Sequence, residues 1–177
     1  MILPNLISLA RLGATPVAVW LIIAEHDRAA FFVVLAAGLS DALDGALARS
    51  LGGVTRLGSL IDPVADKMLL VGVYVALGVR EALPWWLIGL VLARDILILG
   101  GAAIMYAKPG RGPARPLPIS KLNTAVQVGL VVAVLASLGL GLEGGRWVAA
   151  GVWLVAATTL ASGVGYGLRV ARMGRRP

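Results

Sequence analysis

The chain carries nine acidic residues, and their placement is uneven. Glu25, Asp27, Glu81 and Glu143 fall in short charged stretches, whereas Asp41, Asp44, Asp62, Asp66 and Asp95 fall inside long apolar ones. A carboxylate in hydrocarbon costs several kcal/mol and marks a functional position by default. In a helix, Asp41 and Asp44 are i,i+3 and share a face, which Gly45 and Ala48 continue with almost no side chain. Asp62 and Asp66 are i,i+4 on the next apolar stretch, with Gly58 one turn before Asp62. A short loop around Ser50–Leu57 makes the two stretches antiparallel neighbours. At ~1.5 Å rise per residue, Asp44 and Asp41 lie about 7.5 and 12 Å back from Arg49, and Asp62 and Asp66 about 6 and 12 Å forward from Gly58. The spacing therefore predicts four carboxylates converging at matched depths near one membrane surface.

Four such charges need compensation. Lys67 is turned ~100° from Asp66 and cannot neutralise them all. Two divalent cations would, and all-oxygen ligands favour Mg²⁺ or Mn²⁺ over zinc. Two metals bridged by carboxylates form a clamp for phosphate chemistry. The bare face leaves room for a flat ligand, and Arg49 supplies a forked cation for its phosphates. The alternatives are partial protonation, ion pairing with Arg49, Arg56 and Lys67, or a cation or proton pathway. A pathway would carry acids along several spans, and here they are confined to one level.

The composition fits this reading. Of 177 residues, 59% are hydrophobic and 14% charged, against roughly 25% charged in a soluble domain. The mean hydropathy of +0.89 excludes disorder as well as a water-soluble surface. An integral membrane protein remains, read as one domain over residues 1–177, with at most six or seven spans of ~20 residues. Cysteine is absent, which removes disulfides, thiolate metal sites and Cys nucleophiles. His26 stands alone in the charged patch Glu25-His26-Asp27-Arg28 and reads as solvated. A net charge of +7 would suggest nucleic acid in a soluble protein. Here the charge sits in short loops and a tail beside an anionic leaflet, and no nucleic-acid partner is expected.

Six apolar stretches are expected to form an all-α polytopic membrane protein with six transmembrane helices: Ser8–Ala24, Ala29–Ala48, Gly58–Val79, Pro84–Tyr106, Ser120–Leu142 and Trp147–Val170. Met1–Leu3 is too short and uncharged for a signal-peptide n-region, so the N-terminus reads as retained, with Pro4-Asn5 opening a short interfacial segment. Loops after stretches one, three and five are nearly balanced in charge. Loops after two and four hold Arg49, Arg56, Lys108, Arg111 and Arg115 with no acid, and the tail adds Arg169, Arg172, Arg175 and Arg176. The positive-inside rule then puts both termini and the carboxylates at the cytoplasmic face. Lys108–Pro118, rich in Pro and Gly, reads as a cytoplasmic loop. Trp20, Trp85, Trp86, Trp147 and Trp153 fit an aromatic belt at the outer ends.

Written out, the acidic stretch is Asp41-x2-Asp44-Gly45-x2-Ala48-Arg49-x8-Gly58-x3-Asp62-x3-Asp66. It resembles the signature of the CDP-alcohol phosphotransferase family at all eight fixed positions. The resemblance extends over most of the chain. It implies a homodimer of six-helix protomers with a binuclear metal site opening to the cytoplasm. It further implies that Asp41, Asp44, Asp62 and Asp66 hold the metals, that Asp66 doubles as general base, and that Gly45, Ala48, Arg49 and Gly58 receive the CDP moiety. The implied reaction displaces CMP from a CDP-linked lipid.

The acceptor is read from three further segments. Pro4-Asn5-Leu6-Ile7-Ser8-Leu9-Ala10-Arg11 looks like members that use CDP-diacylglycerol. Leu92-Ala93-Arg94-Asp95-Ile96-Leu97 and Ile119-Ser120-Lys121-Leu122-Asn123-Thr124-Ala125-Val126-Gln127 resemble the cardiolipin-forming, CMP-releasing branch. Gly58–Lys67 is shared with the glycerophosphate-using branch and does not discriminate. Arg94 and Lys121 are candidates for an anionic acceptor, against a structural pairing of Arg94 with Asp95 and snorkelling of Lys121. On a helix Ser120, Thr124 and Gln127 share one face. The expectation is an inner-membrane phosphatidyltransferase in a bacterium, with phosphatidylglycerol as acceptor and cardiolipin as product. Glycerol 3-phosphate, giving phosphatidylglycerophosphate, is the alternative within the family. Outside it, an intramembrane prenyltransferase would need more spans and distant acidic motifs. A divalent-cation transporter would give metal flux without CMP release.

Overall fold

The computed structural model describes residues 3–51, 58–106 and 118–174, with side chains described at 13–40, 67–100 and 118–168. Six α-helices and no strand occur among the described residues: α1 Leu3–Ile23, α2 Asp27–Leu51, α3 Gly58–Val79, α4 Trp85–Tyr106, α5 Pro118–Leu140 and α6 Gly145–Gly174. Each expected apolar stretch is a helix, and α3 has the expected bounds. The ends of the others differ. The first helix starts at Leu3, so Pro4-Asn5 is part of it; Pro is tolerated in a first turn because its missing N–H has no intrahelical partner there. It continues through Pro16, whose ring lies exposed. The last helix runs on to Gly174, past the apolar segment.

Among the described residues, Pro118–Leu140 and Gly145–Leu168 are long and apolar enough to cross a membrane, with mean hydropathies of 1.8 and 1.6. Gly13–Ile23 and Lys67–Val79 are shorter apolar runs. With the composition, this describes an all-helical membrane protein.

The helices group into two units. In the first, residues 1–83 and 131–144, α1 packs against α2 and α3. Its core includes Ala18, Ile22, Ala30, Val34, Val73, Tyr74 and Leu77. Gly72 makes the close approach of α3 to α1 possible, since a Cβ there would stand 3.0 Å from Val19 Cγ2.

Two helix ends in this unit close with the same backbone device. His26 N–H donates to Leu21 O and Glu25 N–H to Ile22 O; Ala82 N–H donates to Leu77 O and Glu81 N–H to Gly78 O. This is the Schellman pattern, with a left-handed residue after the helix. Here that residue is Glu25 (φ 62°) and Glu81 (φ 57°) rather than glycine. Arg80, just before Glu81, donates to the Asp27 carboxylate at the start of α2 and lies 3.9 Å from Glu25. The near-balanced charges of these two loops are thus partners. His26 stacks on Trp20 with ring centroids 5.8 Å apart.

In the second unit, residues 84–130 and 145–177, α4 packs against α6. Leu87, Ile88, Val91, Arg94 and Asp95 are buried along α4, and Val152, Val155, Ala156, Thr159 and Ser162 along α6. Both sets follow helical periodicity, and both turn polar at their C-terminal end. Trp86 and Trp153 pack with centroids 5.5 Å apart.

Gly139 yields a prediction. A Cβ there would lie 2.8 Å from the backbone of Asp27 and Arg28, and backbone cannot swing aside as a flexible side chain can. Gly129, on the same helix, would meet nothing within 4 Å. Gly139→Ala is expected to destabilise by roughly 1–3 kcal/mol, the usual range for forced overpacking. Gly129→Ala is expected to be neutral or stabilising. Thermal unfolding of both variants in detergent checks the split, and equal melting points would refute the contact.

Candidate active site

The sequence motif falls on two described helices. Asp41, Asp44, Gly45, Ala48 and Arg49 lie in the last turns of α2, and Gly58, Asp62 and Asp66 in the first turns of α3. Helical backbone at these positions gives the two aspartate pairs their i,i+3 and i,i+4 registers. The side chains of all eight lie outside those described, as do those of Arg169 and Arg172. Arg56, Lys108, Arg111, Arg115, Arg175 and Arg176 lie outside the described residues altogether. Among the described residues, no group of three or more His, Asp or Glu side chains comes together as a metal site.

A shallow pocket at the other end of α2 is lined by Glu25, His26, Asp27, Arg28, Phe32 and Gly139 among others. It is remote from the motif: Asp41 lies about 21 Å further along α2 at ~1.5 Å per residue. It is not the carboxylate site.

The second unit has a polar cluster whose side chains are described. Arg94 and Asp95 are both buried, at 6% and 7% exposure. Their adjacent positions let them pair directly, Arg94 donating to Asp95 Oδ1 at 2.7 Å. The same guanidinium reaches two other helices. It donates through Nε and a terminal nitrogen to Ser162 Oγ of α6, at 3.1 and 2.7 Å, and to Ser120 Oγ of α5. Arg94 is therefore the hub of three helices, with a carboxylate as its counter-charge. The structural pairing with Asp95 weighed from sequence is present.

Lys121, the other candidate cation, is exposed in the first turn of α5. Of the polar face expected on α5, Ser120 meets Arg94, Gln127 is buried, and the Thr124 hydroxyl donates to Ser120 O in its own helix. Sequence reasoning missed Asn123, Thr158, Thr159 and Ser162. All four are buried, with Asn123 and Ser162 at 0% exposure. The Thr159 hydroxyl donates to Asn123 Oδ1 at 2.9 Å, and the Thr158 hydroxyl lies 2.8 Å from the same oxygen. The available signal was the spacing of 158, 159 and 162 on one face of an apolar helix, opposite the polar face of α5.

Removing one member of a buried ion pair strands the other, at a cost of about 3–5 kcal/mol, while replacing both is far milder. Asp95→Leu and Arg94→Leu should each lower stability by that order. The double variant should lose much less than the sum, a coupling that a double-mutant cycle measures. Additive losses in detergent unfolding would show the two charges to be uncoupled.

Comparison with known proteins agrees with the motif. Residues 1–162 match the CDP-alcohol phosphatidyltransferase family. The chain is 39% identical to the chloroplast CDP-diacylglycerol–glycerol-3-phosphate 3-phosphatidyltransferase 1 of Oryza sativa subsp. japonica, over 94% of this chain and 56% of that protein. It is 38% identical to the CMP-forming cardiolipin synthase of Homo sapiens, over 76% of this chain and 50% of the relative. It is 35% identical to the CMP-forming cardiolipin synthase of Streptomyces coelicolor, over 83% and 68%. The match thus spans about half the length of the rice and human proteins. With the eight-position motif carried on two consecutive helices, the chain belongs to the CDP-alcohol phosphatidyltransferase family.

Proposed function

We propose that this protein is a membrane phosphatidyltransferase that transfers the phosphatidyl group of CDP-diacylglycerol to phosphatidylglycerol, forming cardiolipin and CMP. The observation that carries the reading is the Asp41–Asp66 motif on α2 and α3 within the family match. In the reaction an acceptor hydroxyl oxygen bonds to the phosphorus that bears the diacylglycerol. The bond from that phosphorus to the CMP oxygen breaks, and CMP leaves.

Asp66 takes the proton from the attacking hydroxyl, so that negative charge on the oxygen develops only as the new bond forms. Gly45, Ala48 and Gly58 leave the nucleotide room against the backbone, and Arg49 forks onto its phosphate oxygens. Asp41, Asp44, Asp62 and Asp66 form an all-oxygen donor set suited to two Mg²⁺ or Mn²⁺ ions. Bound there, the ions would supply charge neutralisation of the diphosphate and of the departing phosphate. The protein would act as a homodimer in a bacterial inner membrane, with six spans, both termini and the active site at the cytoplasmic face. Lys121, exposed in the first turn of α5, would meet the acceptor's phosphate, while Arg94 is committed to Asp95, Ser120 and Ser162.

A second reading stays in the family. Glycerol 3-phosphate as acceptor is favoured by the rice relative, whose name specifies it and whose match covers 94% of this chain. Phosphatidylglycerol is favoured by the Arg94-Asp95 and Ile119–Gln127 segments and by the relatives named cardiolipin synthase.

The deciding experiment incubates purified protein with CDP-diacylglycerol and each acceptor and identifies the lipid products by mass. Phosphatidylglycerol is expected to support CMP release at least ~10-fold faster than glycerol 3-phosphate, about 1.4 kcal/mol in transition-state binding. Chelation should abolish release with either acceptor, and Mg²⁺ or Mn²⁺ should restore it. Faster turnover with glycerol 3-phosphate would hand the assignment to the second reading, and full activity in excess chelator would remove the two-metal site.

Asp66→Asn keeps size and loses proton acceptance, so turnover should fall at least ~10²-fold, the lower end for a general base. CDP-diacylglycerol binding should be partly kept. Near-normal turnover of this variant would refute Asp66 as the base.

A further inference from the structure

The pocket at the turn between α1 and α2 is not used by the proposed reaction, and its chemistry is distinct. Its volume is about 590 Å³, within the ~300–1,000 Å³ of small-ligand sites. Every residue that lines it belongs to the first unit. Gly139 brings α5 against the first turn of α2 on one side. The charges in and beside the pocket sum to zero. Asp27 accepts from Arg80, and that pair is committed to itself. Glu25 stands 3.9 Å from Arg80, beyond hydrogen-bond reach, and its side chain is 77% exposed. Arg28 is exposed, and its guanidinium makes no hydrogen bond or ion pair among the described residues. One uncommitted carboxylate and one uncommitted guanidinium thus line the same pocket without pairing with each other.

Such a pair suits a ligand that carries both charges. A net anion would be opposed by Glu25 and a net cation by Arg28. The guanidinium fork matches a phosphate, and a carboxylate accepts strongly from a primary ammonium. The rest of the lining is apolar. Phe32 lies one turn beyond Arg28 on α2 and is 53% exposed, and Leu138 of α5 is 40% exposed. A soluble zwitterion would leave these side chains uncovered, whereas an acyl chain would cover them. Trp20 gives the level. It is 62% exposed and stacks on His26, which also lines the pocket. Exposed tryptophans of membrane proteins gather at headgroup level. The charged part of the pocket therefore lies among headgroups, with its apolar wall toward the acyl chains.

We propose that this pocket binds a zwitterionic phospholipid with a primary amine, of the phosphatidylethanolamine class: Arg28 takes its phosphate, Glu25 its ammonium, and Phe32 and Leu138 the start of an acyl chain. The site goes beyond the transferase reading and does not depend on it. Its ligand differs in charge from the donor, acceptor and product of the proposed reaction, which are all anionic. A lipid held there bridges the α1–α2 turn and α5, so its binding stabilises the folded protein.

The test titrates full-length protein in detergent with phosphatidylethanolamine and with phosphatidylcholine, and counts bound lipid by native mass spectrometry. Both lipids carry the phosphate, but the quaternary ammonium of choline has no N–H to donate. Wild-type protein should hold phosphatidylethanolamine at least about fivefold more tightly, the order of one charge-assisted hydrogen bond. Glu25→Gln should bring the two lipids to within about twofold of each other. Arg28→Gln should weaken both by a similar factor and keep their ratio. Glu143→Gln, at an exposed acid of the same unit outside the pocket, should change neither. Glycerophosphoethanolamine, the headgroup without chains, should bind at least ~10-fold more weakly than the lipid. Saturating phosphatidylethanolamine should raise the melting temperature of the wild type more than that of either pocket variant. Equal affinity of the wild type for the two lipids would overturn the proposal, as would a ratio unchanged by Glu25→Gln. Tight binding of the free headgroup would make the ligand a soluble zwitterion and overturn it too. If Glu25→Gln fails to fold, Arg28→Gln decides, and unchanged lipid binding in that variant overturns the proposal. CMP release is not a readout, so failure of this site leaves the proposed function standing, and failure of that function leaves the site standing.

Discussion

An ionised group held between helices in a low-dielectric interior must carry its counter-charge and its hydrogen bonds with it, because no solvent will supply them. Arg94 obeys this in full view. Its guanidinium has five N–H groups in a fixed planar fork. Asp95 takes one, Ser162 takes two, and Ser120 takes another. Because those partners sit on α4, α5 and α6, satisfying one cation sets the rotation of three helices at once. Apolar contact alone could not do that. Between helices in lipid, leucine against leucine is little better than leucine against an acyl chain. The polar contacts supply what apolar packing leaves undetermined, which is the register.

The same requirement is met differently at the chain turns of the first unit. Arg80 and Asp27 pair where α3 ends and α2 begins, beside residues that are exposed. The pair itself is largely covered, with side-chain exposures of 17% for Arg80 and 15% for Asp27, while its neighbours Glu25 and His26 reach water. What closes these turns is backbone. Glu25 and Glu81 accept a left-handed conformation that disfavours side chains by roughly 1–2 kcal/mol. In exchange, otherwise orphaned helix carbonyls find donors, and a carboxylate stands next to Arg80. Gly139 then admits the start of α2 at a distance no other residue permits. Tight turns and a close approach hold the ends of helices that have mostly apolar contact along their lengths.

The helices were legible because a chain 59% hydrophobic punctuates itself with the few places where charge, Gly and Pro gather. Their ends were less so. Pro4-Asn5 reads as the opening of a short interfacial segment and is instead in the first turn of α1, and the end of α6 has helical backbone without the apolar character that marks a span. The acidic motif stands out for a different reason: eight fixed positions are a strong pattern even where no side-chain geometry is described. Arg94 was visible as an unusual cation, yet its partners were not. Ser162, Thr158 and Thr159 are small hydroxyl residues, which apolar helices carry often and which satisfy themselves on their own backbone, as Thr158 can with Leu154 O. Only the facing helix turns them into a site. Asn123 was passed over beside Lys121 because charge draws attention first, although the buried neutral amide is the more constrained of the two.

On the proposed reaction, two anionic lipids must be brought to one place, and the distribution of charge bears on how. The chain has 16 basic residues against nine acidic ones. The excess gathers in three stretches of sequence, 49–56, 108–115 and 169–176, and a cation near a membrane surface attracts anionic lipid by about 1 kcal/mol. Attraction at the surface recruits without discriminating, since it acts on every anionic headgroup alike. Selection has to occur where charge is already balanced, so that shape and hydrogen bonding decide. On the proposed reading, cations near the surface recruit anionic lipid and the aspartates of α2 and α3 carry the chemistry.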